Sequence, residues 1–97
     1  MYTSGVWNVK PGMDDAFARG WQATVDRTSL EHPGVVFRLL RDVDRPGRFV
    51  SVVGPWRNRE QFESVRVSDA FKESIDAMSD LLDSWEISAY ELAVEVS

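Results

Sequence analysis

The period of apolar and polar positions changes several times along the chain. Tyr2 to Val9 mixes β-formers with small polar residues and stops at Lys10-Pro11-Gly12, which predicts a strand followed by a turn. From Met13 to about Leu30 the spacing becomes helical. Met13, Phe17, Gly20, Trp21, Thr24, Val25 and Thr28 fall on one face, and Asp14, Asp15, Arg19, Gln22, Asp26 and Arg27 on the other. Asp14 and Asp15 suit a first turn, where the helix dipole favours negative charge. His32-Pro33-Gly34 ends the element.

Val35 to Val43 and Arg48 to Trp56 read as two strands of a hairpin joined by Asp44-Arg45-Pro46-Gly47, in which Pro fixes φ and Gly tolerates a positive one. Pairing Val43 with Arg48 places Val35, Phe37, Leu39, Val50, Val52, Gly54 and Trp56 on one face. Val36, Arg38, Leu40, Phe49, Ser51 and Val53 then occupy the other. Both faces are substantially apolar, whereas a sheet with one solvated face alternates more cleanly. A second subunit is the expected cover. Asn58 and Gln61 have the spacing of a capping box before a short helix, Glu60 to Val65. Ser68 caps a further helix whose stripe is Phe71, Ile75, Met78 and Leu82, and Trp85 to Val96 reads as the last strand. The order β-α-β-β-α-β predicts one α+β domain over residues 1–97, ferredoxin-like, with helices on one face of a four-stranded antiparallel sheet.

Composition narrows the chemistry. The 97 residues include no Cys, one His and four Trp. Disulfides, thiol nucleophiles and thiolate metal sites are excluded, and any Ser-His-Asp triad depends on His32 alone. A net charge of -5 argues against nucleic acid as a partner. No apolar run approaches the ~18–20 residues that cross a bilayer. The N-terminus lacks the basic and apolar regions of a signal peptide. The expectation is a cytoplasmic protein with no membrane partner. Charge is uneven: seven Arg stand against four acids between Arg38 and Arg66, but only Lys72 against eight acids after Val67. A basic hairpin on one protomer meeting the acidic C-terminal half of another would suit a homodimer.

Several short motifs in a fixed order carry a family likeness. Lys10-Pro11-Gly12 after the first strand, His32-Pro33-Gly34 before the second, and Trp56-x-Asn58-x-Glu60-x-Phe62 followed by Ser68-Asp69-Ala70-Phe71 resemble the antibiotic biosynthesis monooxygenase domain over nearly the whole chain. The resemblance implies a homodimer whose two sheets face each other as a dimeric α+β barrel, each protomer keeping a pocket between sheet and helices. The heme-degrading branch of that family uses an Asn, a Trp and an axial His at positions that fall here on Gly5, Val65 and Ile75, so that chemistry is not expected. The branch that oxidises phenolic polyketides needs no metal or organic cofactor. Its Trp at the end of strand three falls on Trp56, its Asn on Val52, its Tyr on Phe62, and its basic residue near Lys72.

The resemblance thus implies a cofactor-independent monooxygenase for a small electron-rich aromatic or quinol. Trp56 and Lys72 are the candidate catalytic residues, Lys72 as the stabiliser of a phenolate. Trp7, Trp21, Phe37, Val52, Phe62, Phe71 and Ile75 are the candidate substrate-binding residues, and no cofactor or metal is expected. The three Trp also have a purely structural reading as core. Gly5, Gly20 and Gly54, placed on the inner face, leave room either for a ligand or for close packing. His32 reads as a possible base or an exposed turn residue. Loss of most polar positions used elsewhere in the family keeps a second class open: a non-catalytic dimeric small-molecule binder on the same fold.

Overall fold

The computed structural model describes residues 1–97. Its elements are β1 (Tyr2–Val9), α1 (Asp14–Ser29), β2 (Val36–Arg41), β3 (Arg48–Gly54), α2 (Arg59–Arg66), α3 (Asp69–Ser79) and β4 (Leu82–Tyr90). The strands form one sheet in the order β2-β3-β1-β4, every neighbouring pair antiparallel. This is the ferredoxin-like α+β fold, with the second helical region split in two. No helix is long and apolar enough to cross a membrane.

Local chemistry sets the helix starts. The Asn58 side chain accepts the Gln61 N–H at 2.9 Å, and Gln61 Oε1 reaches back to the Arg57 N–H at 2.7 Å. Ser68 Oγ accepts the Phe71 N–H at 3.2 Å and starts α3. Each such cap satisfies an N–H that the helix cannot. Period-two alternation then aims Thr3, Gly5, Trp7 and Val9 of β1 at the helices, all buried. Trp7, Val9, Phe17, Phe49, Met78 and Leu82 form the core, with Phe17 fully buried between the rings of Trp7 and Phe49. Burial of one such ring stabilises by roughly 1.5–3 kcal/mol.

Two details differ from the sequence expectation. The hairpin pairs Phe37 with Val53, Leu39 with Ser51 and Arg41 with Phe49, one residue away from the register expected from Val43 and Arg48. A slip of one residue turns every side chain of a strand over. Phe49, Ser51 and Val53 therefore face the helices with Phe37 and Leu39, while Val50 and Val52 face away. The turn decides this: Asp42 Oδ1 accepts the N–H groups of Asp44 and Arg45, and the Asp42 N–H reaches the Arg48 carbonyl at 2.9 Å. Val43 thus belongs to the turn and is exposed.

The last strand also moves. Leu82, expected as the fourth position of the α3 stripe, instead opens β4 opposite Val9 and joins the core. α3 stops at Ser79, and the Leu81 carbonyl accepts the Lys10 N–H at 2.8 Å, which draws the chain into the sheet. β4 ends at Tyr90 rather than Val96, because Tyr2↔Tyr90 is its last rung with β1. Leu92, Val94 and Val96 are exposed beyond it.

Candidate functional site

Between the sheet and the three helices lies a cavity of about 80 Å³, several times the ~10–15 Å³ a single water requires. The sheet supplies its floor: Thr3, Gly5 and Trp7 from β1, Phe37 from β2, Ser51 and Val53 from β3, Ile87 from β4. Trp21, Thr24, Val25 and Thr28 of α1 form one wall. Phe62 and Val65 of α2 and Phe71, Ser74, Ile75 and Met78 of α3 form the other, and Trp56 closes one end. The α1 contribution follows from its helical spacing: Trp21, Thr24, Val25 and Thr28 share one face.

The aromatic rings are held from several sides. Trp56 meets Phe62 at 5.6 Å between centroids, Phe37 edge-on at 6.1 Å and His32 edge-on at 5.8 Å. Its indole N–H donates to Thr3 Oγ1 at 3.1 Å. Trp7 stacks on Trp85 at 5.6 Å, and its N–H donates to Ser51 Oγ at 3.1 Å. Both indoles are therefore fixed by packing and by a hydroxyl on the floor, and such preorganised flat walls suit a planar guest.

No titratable side chain lines this cavity. The cations stand at its borders. Arg27 donates from its guanidinium to Ser74 Oγ at 3.0 Å, so it touches a lining residue, and it makes no ion pair. It shares a vestibule with Thr28, Glu31, His32, Ser64, Val65, Ser68 and Ala70. In that vestibule the Gln61 amide donates from Nε2 to His32 Nδ1 at 3.1 Å, its Oε1 being taken by Arg57. On the other side, an outer groove contains Lys72, Arg66, Asp76 and Trp85 and shares Phe71, Ile75 and Ile87 with the cavity. No three His, Asp or Glu side chains are grouped so as to hold a metal ion.

Of the residues singled out in the sequence, Trp56, Trp7, Trp21, Phe37, Phe62, Phe71 and Ile75 come together around this one space. Two do not. Val52 lies on the opposite face of β3, between Ser4 and Arg38, and Val53 takes its place through the register shift. Lys72 is exposed and lies in the outer groove, because it follows Phe71 on a helix and points 100° away from it. The glycines leave no room for a ligand. Ser51 Oγ and the Trp7 indole stand 2.7 Å from where a Gly5 Cβ would lie, Met78 stands 3.3 Å from that of Gly20, and the Tyr2 ring occupies that of Gly54. Gly54 also pairs with Val36 on the open face rather than the inner one. Of the five hydroxyl residues in the lining, Thr24 and Thr28 fall on the inward stripe of α1, whereas Thr3, Ser51 and Ser74 had no pattern to mark them.

Comparison with known proteins adds an independent finding. The family model described as antibiotic biosynthesis monooxygenase matches residues 2–77. Among solved structures, one antibiotic biosynthesis monooxygenase is similar with a TM-score of 0.80 and 17% identity, over 96% of this chain and 98% of that one. A Caulobacter crescentus protein provisionally assigned the same activity is similar with a TM-score of 0.82 and 21% identity, over 97% and 89%. A conserved protein from Methanosarcina mazei has a TM-score of 0.79 and 22% identity, over 92% and 88%. No curated protein matches the sequence. At these identities the structural likeness speaks for the fold. The family model spans four-fifths of the sequence, every element of the sheet except β4 included, and on that ground the chain belongs to the antibiotic biosynthesis monooxygenase family.

Proposed function

We propose that the protein is a cofactor-independent monooxygenase for a small, single-ring quinol or electron-rich phenol. Family membership supports the reaction class, and the cavity walled by Trp7, Trp21, Phe37, Trp56 and Phe62 supports the substrate class. The wall carries no acid or base, so the chemistry belongs to the substrate. An ionised quinol ring passes an electron to O₂ unaided, and apolar walls keep water from the intermediates. The ring gives up four electrons in all. One oxygen atom enters a ring carbon, the other leaves as water with two protons, and the quinol becomes a hydroxylated quinone. Arg27, which donates to Ser74 of the lining, is the one cation placed to favour the ionised ring through its field.

The same protein is proposed to work as a homodimer through the uncovered face of its sheet. Leu40, Val50 and Val6 lie side by side there across three strands, and Val36, Leu40 and Tyr90 are exposed. A second copy of the chain would bury that row.

The test is oxygen consumption with a panel of single-ring quinols and phenols, followed by mass analysis of products formed under ¹⁸O₂. One labelled atom per product, lost with Trp56→Ala, is the expected result. A second reading, a dimeric binder without catalysis, draws on the absence of any titratable group in the wall. It predicts calorimetric binding of the same rings with no oxygen uptake.

A further inference from the structure

Two hydroxyls on the cavity floor have unused hydrogen-bonding capacity. Ser51 Oγ accepts the Gly5 backbone N–H at 3.0 Å and the Trp7 indole N–H at 3.1 Å. A hydroxyl has two acceptor sites and one donor. Both acceptor sites of Ser51 are therefore filled, and only its O–H remains. Thr3 Oγ1 accepts the Trp56 indole N–H at 3.1 Å. Neither hydroxyl donates to any acceptor in the protein, in contrast to Thr24, Thr28 and Ser74, whose O–H groups are spent on carbonyls of their own helices. Thr3 and Ser51 are each only 4% exposed, so these hydrogens meet the contents of the cavity rather than the outer surface. The cavity that both residues line is the space left for them.

From this we infer that Thr3 and Ser51 form a donor pair that recognises an oxygen of the ligand, a phenolate or a quinone carbonyl. The inference rests on the proposed cavity function and narrows its ligand class. Each hydroxyl is itself an acceptor of an indole N–H, which polarises its O–H and strengthens it as a donor. Burial among apolar walls strengthens it further. A ring without oxygen that fills the cavity leaves each donor without an acceptor and so bears its desolvation penalty. The pair gives the site the polar recognition that its titratable residues, all outside the wall, do not supply. Ser51 and Thr3 also sit directly on the two Trp indoles that flank the guest, which fixes the ring plane and the oxygen position together.

The experiment compares binding of benzene, phenol and 1,4-benzoquinone by calorimetry to the wild-type chain, Ser51→Ala and Thr3→Val. The wild type is expected to bind the quinone roughly tenfold or more tightly than benzene, about the worth of one to two buried hydrogen bonds. In each variant that ratio falls by several-fold, whatever the change in stability, because the ratio is read on folded protein. Equal binding of benzene and benzoquinone, or a ratio unchanged in both variants, overturns the inference and leaves the cavity function standing. Failure of all three rings to bind overturns both.

Discussion

Val52 and Val53 differ by one position and lie on opposite sides of the sheet. Nothing in their chemistry separates them; the ladder register does. The cavity assigns them different roles, and the difference is measurable. Val53→Phe is expected to fill part of the cavity that Val53 lines and to reduce ring binding at least tenfold. Val52→Thr, of equal volume on the far face, is expected to leave it within a factor of two. Calorimetric titration of both variants decides; equal losses would place the site elsewhere. The same logic explains which expectations at single residues hold. Trp7 and Trp21 sit on strongly periodic elements, so their facing was legible. Lys72 was placed by homologous position, and the α3 face turns it outward.

At the scale of the element, the β2–β3 hairpin is governed by one side chain. The Asp42 carboxylate accepts from the Asp44 N–H at 2.9 Å, the Arg45 N–H at 3.1 Å and the Arg48 guanidinium at 3.0 Å. The Asp44 hydrogen bond above all, aided by Arg48 and Arg45 and opposed by desolvation, holds its pKa below the ordinary 3.8. A lowered carboxylate pKa means that the folded state favours the ionised form. Its stabilisation is complete above 3.8 and is lost as pH falls through the lower folded value. Asp42→Asn is therefore expected to be less stable than wild type at neutral pH, and the gap to narrow below pH 3.8 in urea unfolding. A gap that did not change with pH would remove the charge from the explanation. The turn was visible in Asp44-Arg45-Pro46-Gly47, but the role of Asp42 was not. Aspartate hydrogen-bonds its own backbone two residues on, and that shifted the hairpin by one residue.

On the scale of the whole molecule, the sheet has two kinds of face. One is covered by α1, α2 and α3; the other carries Leu40, Val50 and Val6 with nothing over them. Leu40→Glu is expected to convert a particle of twice 11.0 kDa into one of 11.0 kDa in sedimentation equilibrium. The uneven charge adds a second expectation. If the Arg-rich hairpin meets the acidic C-terminal half of a partner, dimer dissociation should strengthen as salt rises, since exposed pairs are screened over ~8–10 Å. Dissociation independent of ionic strength would limit the interface to its apolar row.

The sequence by itself determined the element order, the helix caps at Asn58 and Ser68, the inward stripe of α1 and the apolar character of both sheet faces. These are local properties, set by spacing and by side chains within a few residues of the backbone groups they satisfy. Only the tertiary structure decided the start of β4 at Leu82 opposite Val9, and the pairing of Thr3 with Trp56 and Ser51 with Trp7. Those contacts join residues more than 40 positions apart. Their partners are selected by the closing of the sheet and the space under the helices, which no local period encodes. The two hydroxyls now read as the polar centre of the cavity are ordinary strand residues until that closure brings the indoles onto them.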